Sequence, residues 1–167
     1  MSPPLVVLVG APGSGKTTVG RIVAERRGVD FRDTDQDVET RAGMSVADLF
    51  VEYGEAHFRA LERTAVATAL AEHDGVLALG GGAVLDLETR HRLRGARVVF
   101  LDVGLTDAAR RVGFDAARPL LVLNPRAELK RMLDDRRALY EEVATVTVAT
   151  DGRSAEEVAA DVLEALG

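Results

Sequence analysis

Residues Gly10-Ala11-Pro12-Gly13-Ser14-Gly15-Lys16-Thr17 have the form G-x-x-x-x-G-K-[ST], a spacing suited to holding phosphate. Its glycines let successive backbone N–H groups curl around an anion, and a helix beginning near Gly15 aims the positive end of its dipole at the same point. Lys16 can then reach the β- and γ-phosphates of a nucleoside triphosphate, and the Thr17 hydroxyl can coordinate Mg²⁺. The letters alone also occur in surface turns. Here they stand between the apolar run Leu5-Val6-Val7-Leu8-Val9 and a helical pattern, the strand–loop–helix context that the chemistry requires.

Other residues supply the groups that such a loop needs opposite it. Asp33-Thr34-Asp35 closes a second extended run. Residues two apart in extended chain point to one side, so both carboxylates would face a ligand at the strand's carboxyl end. One acid would then serve the Mg²⁺ shell and the other the hydroxyl that receives phosphate. The competing reading is an Asx-type turn whose second acid caps the following helix. Gly80-Gly81-Gly82 follows a third strand-like run, where glycines bring backbone N–H donors close to a ligand or merely make a tight turn.

Arginines complete the set. On the helical pattern from Gly54 to Leu70, Phe58, Leu61, Ala65 and Ala69 mark the buried side, with Glu62 close to that stripe and Arg59 at its edge. Arg59 either snorkels into solvent or clamps a carboxylate, oriented by Glu62. Leu129, Met132, Leu133 and Tyr140 share one face of a later helix, and Arg136 lies on that face while Arg137 is rotated away. An arginine centred on an apolar stripe needs a partner, either a substrate carboxylate or an internal acid.

The elements that must position these groups are legible as well. Five β-like runs, Leu5 to Val9, Val29 to Arg32, Val76 to Leu79, Arg97 to Asp102 and Ala144 to Val148, alternate with helical stretches. Runs such as Val98-Val99-Phe100-Leu101 are apolar on both faces, as in a parallel strand covered on each side by helices. The expectation is a three-layer α/β/α fold with a five-stranded parallel sheet and ligands at the strands' carboxyl ends. Ser45-Val46-Ala47-Asp48 and Ser154-Ala155-Glu156-Glu157 have the capping-box form. Val158, Val162 and Leu166 then give the last helix its apolar stripe. The segment from Gly113 to Pro125, containing Arg118-Pro119-Leu120-Leu121, is a plain connection or a lid; a site that must exclude water favours the lid.

Composition narrows the classes. The chain has 167 residues, 47% hydrophobic and 29% charged, which suits one globular domain over 1–167. A net charge of −6 argues against nucleic acid held by a general basic field, so an anionic ligand must be met by local arginines. The absence of cysteine removes disulfides, thiolate metal sites and cysteine nucleophiles. His57, His73 and His91 lack metal-like spacing. No signal peptide or membrane span is legible, and the expectation is a cytoplasmic monomer that engages neither membrane nor nucleic acid.

Taken in order, the Gly10 to Thr17 loop, Asp33-Thr34-Asp35, Phe58-Arg59-x-x-Glu62, Leu79-Gly80-Gly81-Gly82-Ala83, Arg118-Pro119-Leu120-Leu121, Arg136-x-x-Leu139-Tyr140 and Asp151-Gly152-Arg153-Ser154 resemble the shikimate kinase family of P-loop proteins. The resemblance covers nearly the whole chain. It implies transfer of phosphate from ATP, with Mg²⁺, to the 3-hydroxyl of shikimate in chorismate and aromatic amino acid biosynthesis. It also implies a helical substrate-binding region over about 34–62 and a lid over about 113–125. Asp35, Lys16 and Arg118 would be catalytic. Gly13, Ser14, Gly15, Lys16, Thr17, Thr18, Arg111, Arg118 and Arg153 would bind the nucleotide, with Arg111 and Arg153 flanking adenine. Asp35, Arg59, Gly80, Gly81, Gly82 and Arg136 would bind shikimate. Thr17 would ligate Mg²⁺ directly and Asp33 through water.

The chain departs from the family pattern at Ala138 and Ala155, where proline is common, and the adjacent pair Arg136-Arg137 leaves two candidates for the clamp. Another small-metabolite kinase of the same fold, such as a gluconate kinase or a nucleoside-monophosphate kinase, remains an alternative. So does a non-catalytic nucleotide-binding regulatory module, which would not need Asp35 and both arginines together.

Overall fold

Alternate residues of the first strand feed opposite faces of one sheet. Strand β1 (Val6–Val9) is buried along its length; Val7 and Val9 enter one apolar layer, Val6 and Leu8 the other. A continuous apolar run is what a parallel strand needs when helices cover both its faces. In the computed structural model, which describes residues 3–112 and 125–167, β1 is the middle strand of five.

The chain runs from β1 through α1 (Lys16–Arg27), β2 (Phe31–Asp33), α2 (Thr34–Ala42), α3 (Val46–Tyr53) and α4 (Glu55–Glu72) to β3 (Val76–Ala78). A short 3-10 turn at Ala83–Leu85, α5 (Leu87–Arg92), β4 (Val98–Asp102), α6 (Leu105–Val112), α7 (Pro125–Val143), β5 (Val146–Ala149) and α8 (Ala155–Leu166) follow. Strand order is β2-β3-β1-β4-β5, and every pairing is parallel. All five expected strands are present, with ends moved by one or two residues, the usual uncertainty where local pattern alone sets a boundary.

One layer packs Val66 and Ala69 of α4 and Tyr140 of α7 against Val7, Leu77 and Phe100. The other packs Val19 and Val23 of α1 and Val158, Val162 and Leu166 of α8 against Val6, Leu8 and Leu101. A third cluster of Val38, Leu49 and Phe58 lies among α2, α3 and α4, with Phe50 and Leu61 against it. It gives the segment between β2 and β3 its own small core, beside the strand ends.

The two expected capping boxes differ. Ser154 and Glu157 form the reciprocal pair at α8, whereas Ser45 accepts from the Asp48 N–H at 3.1 Å and the Val46 N–H goes to Glu39 of α2 at 2.9 Å. That bond ties α3 to α2. Among the described residues no helix is long and apolar enough to cross a membrane.

Candidate active site

Gly15 ends the loop after β1 at φ 92°, a left-handed conformation, and caps α1 without any side-chain hydrogen bond. The conformation is one that glycine alone adopts freely, and it leaves the first N–H groups of α1 directed into the loop. Lys16 arches back, its Nζ donating to the Gly10 carbonyl at 2.7 Å and the Ala11 carbonyl at 3.1 Å. Gly13 and Ser14 line the same turn. The Ser14 hydroxyl is buried with no hydrogen-bond partner. Thr17 donates its hydroxyl to Asp33 at 3.2 Å, while Thr18, next on α1, is exposed.

At the end of β2 the two acids divide by conformation. Asp33 is the N-cap of α2 and accepts the Asp35 N–H at 2.9 Å. The chain is therefore helical, not extended, from Thr34 onward, and the turn reading describes the backbone, with the first acid as the cap rather than the second. Asp35 is carried inward on the first turn of α2. One of its oxygens, Oδ1, is buried without a hydrogen-bond partner. Burial, reinforced by the charges of Asp33 and Glu62 and opposed by Lys16, pushes its carboxyl up to about 6.

Each glycine after β3 leaves room for a particular neighbour. The Gly80 N–H donates to the buried Thr34 hydroxyl at 3.2 Å, and a side chain at 80 would collide with the carboxylates of Asp35 and Glu62. At 81 it would press on Pro12 of the loop, and at 82 it would enter the Arg59 guanidinium. The glycine run is thus a seam where α2, α4 and the phosphate loop all approach one backbone.

Glu62, only 4% exposed, holds Arg59 at 2.7 Å, and Glu55 adds a second contact at 3.3 Å. Phe50 and Phe58 lie 5.9 and 5.3 Å from the same guanidinium. Burial raises the Glu62 carboxyl, with the positive charges of Arg59 and Arg136 acting against it. Arg136 is half-buried and faces this group, whereas Arg137 binds Asp102 at the end of β4 with both nitrogens. Arg136 thus points inward from α7 while Arg137 is turned to β4. Sequence reasoning assigned no part to Tyr140 beyond the core, yet its hydroxyl donates to the Gly81 carbonyl at 2.6 Å.

On the opposite side, Arg111 spans the Gly13 carbonyl at 3.1 Å and both oxygens of Thr150 at 2.9 and 3.2 Å. Arg153 donates to the Ala149 carbonyl at 2.9 Å and pairs with Asp161 of α8 at 2.8 Å. Two acids that sequence reasoning missed latch the neighbouring loops: Asp151 accepts the Gly104 N–H, and Asp107 accepts the Gly152 N–H at 2.8 Å. Arg118, with the lid expected over about 113–125, lies outside the described residues except for Pro125, which opens α7.

The donor set suits Mg²⁺ held largely by a nucleotide. Thr17 and Asp33 offer one hydroxyl and one carboxylate, and among the described residues no group of three or more acids or histidines could hold a metal unaided. Mg²⁺ is usually bound in this way, by one or two protein oxygens together with phosphate oxygens and water. The unpartnered Ser14 hydroxyl and the open helix end also fit a polyanion in the loop.

A parallel sheet whose strand ends place a phosphate-binding loop across from a buried acid and paired arginines is that of a P-loop phosphotransferase. The family model for shikimate kinase matches residues 12–167. The chain belongs to the shikimate kinase family. It is 56% identical to a shikimate kinase of Streptomyces coelicolor over 99% of this chain and 97% of that protein. With a shikimate kinase of Salinispora tropica the identity is 62%, covering 95% of each. The solved structure of a shikimate kinase from Acinetobacter baumannii in complex with shikimate superposes with a TM-score of 0.93 at 36% identity, covering 99% of this chain and 93% of that one.

Proposed function

We propose that this chain transfers the γ-phosphoryl group of ATP to the 3-hydroxyl of shikimate, giving shikimate 3-phosphate and ADP in chorismate and aromatic amino acid biosynthesis. The observation that carries the reading is Asp35, whose buried, unpartnered oxygen lies within the electrostatic reach of Lys16 on one side and Glu62 on the other. A carboxyl raised to about 6 is ionised at neutral pH yet basic enough to take a hydroxyl proton as the oxygen attacks phosphorus. The new O–P bond forms as the bond to ADP breaks, and the proton passes to Asp35.

Arg59, fixed by Glu62, and Arg136 bind the acceptor's carboxylate, and the Gly80 to Gly82 backbone meets its hydroxyls. The acceptor-binding region is the helical segment over about 34–62. The loop from Gly13 to Thr18 holds the phosphates, with Lys16 on the charge that moves during transfer. Arg111 and Arg153 flank the base, and Arg118, with the lid over about 113–125, covers the transferring group. Thr17 and, through water, Asp33 would hold Mg²⁺, which would neutralise phosphate charge. The protein acts as a cytoplasmic monomer of one domain, 1–167.

A coupled assay of ADP release with shikimate, gluconate, AMP and no acceptor tests this. Turnover that depends on shikimate is expected. Equal ADP release without it, or preference for gluconate or AMP, would reject the assignment.

A further inference from the structure

Tyr140 is among the most deeply buried large side chains of the chain, at 2% exposed, and it carries a hydroxyl that the core does not need. Its ring stacks on Phe100 at 5.0 Å between centroids, a contact phenylalanine could make as well. The hydroxyl instead crosses from α7 to the glycine run and donates to the Gly81 carbonyl at 2.6 Å. Pro12 of the phosphate loop stands against Gly81 from another direction. The peptide after Gly81 is thereby held in one orientation. Its N–H is that of Gly82, and among the described residues neither the Gly81 nor the Gly82 N–H has a hydrogen bond within the chain. Arg136 lies one helical turn before Tyr140 on α7, and its charge acts at the tyrosine hydroxyl as well as at Glu62.

We propose that Tyr140 is a positioning residue for the acceptor: its hydroxyl locks the Gly81 carbonyl outward from the site, keeps the amide of Gly82 turned toward the bound acid, and fixes its distance from Arg136. This rests on the reading that shikimate occupies the glycine run. The hydroxyl touches no reacting atom. Its removal leaves a part-buried carbonyl without its donor, and such a group turns toward another partner rather than stay unpaired. The glycines flanking it offer little resistance to that rotation.

Steady-state kinetics of Tyr140→Phe, which keeps the ring, separate this role from packing. The expected result is a rise of about tenfold in the KM for shikimate, with the KM for ATP within about twofold. Phe100→Leu, which loosens the same ring contact and keeps the hydroxyl, should lower Tm without that selective rise. An unchanged shikimate KM in Tyr140→Phe, or losses shared equally between both substrates, would overturn the proposal. A second measurement stands even if Tyr140→Phe does not fold. Tyr53 is the only other tyrosine, so Tyr53→Phe protein grown with 3-fluorotyrosine carries one fluorine, at 140. Its resonance should move on addition of shikimate and not of ATP alone, and a resonance indifferent to shikimate would reject the role. Absence of shikimate turnover in the unaltered chain would remove both the assignment and this inference, whereas normal turnover with an unaffected Tyr140→Phe removes only the inference.

Discussion

Arg137 closes both terminal guanidinium nitrogens on the carboxylate of Asp102, at 2.9 to 3.0 Å. The two residues stand 35 positions apart, and the pair joins α7 to the carboxyl end of β4. Arg137 is half exposed, so the pair adds at most about 1 kcal/mol to stability. Its larger consequence is geometric. With Arg137 turned to β4, the arginine before it faces Glu62 and Tyr140.

Arg136→Lys should therefore raise the KM for shikimate by about tenfold, because an ammonium cannot match a carboxylate with two parallel bonds. Arg137→Lys should change it by less than about twofold. Initial rates across a shikimate series distinguish the two, and a reversed ranking would exchange their roles.

Gly82→Ala tests the placement of Arg59. Gly82 has φ −99° and ψ 3°, which alanine tolerates, and the atoms nearest the new methyl belong to the guanidinium end of Arg59. Tm should fall by a few degrees, since moving the guanidinium loosens its pair with the buried Glu62 carboxylate. The KM for shikimate should rise about tenfold as the guanidinium is displaced. A large loss of Tm would show that the glycine serves the fold instead.

Asp35→Asn should lower kcat and stabilise the nucleotide-free protein. Folding lifts this carboxyl from 3.8 to about 6, so the folded state holds its proton more tightly than the unfolded chain. This group's contribution to the parent's stability is then fully present below about pH 4 and is lost as pH rises to about 6, a loss of up to about 3 kcal/mol. Denaturant melts with chelator present should show Asp35→Asn lacking that decline. Parallel pH profiles for the two proteins would contradict the burial of this charge.

Asp33→Asn preserves the cap of α2, because asparagine caps a helix as well as aspartate does. It removes the charge facing Thr17. The Mg²⁺ concentration for half-maximal rate should rise about tenfold while Tm moves by about 1 °C or less. Titration of activity with Mg²⁺, beside a thermal melt, reads both.

Much of the site was legible because its parts are local. The phosphate loop needs eight consecutive residues, the covered strands announce themselves as apolar runs, and the Ser154 box spans four positions. Helical spacing was enough to put Arg136 on the buried face and Arg137 off it. Asp33 and Asp35 show where local reasoning stops. Alternation in extended chain would have aimed both acids alike, but the helix begins at Thr34, so one acid caps and the other turns inward.

The order of residues by itself determined a phosphate-binding turn between a buried strand and a helix, an α/β alternation and an inventory of acids and arginines, since each depends on neighbours along the chain. Only the tertiary structure decided what those groups do to one another. The shift in Asp35 comes first from burial, with Glu62 of α4 adding to it and Lys16 of α1 opposing it. The spaces beside Gly80 and Gly82 have meaning because α2 and α4 fill them. Tyr140 reaches Gly81 across 59 residues of sequence. Such contacts arise when packing closes the chain on itself, and no local periodicity encodes them.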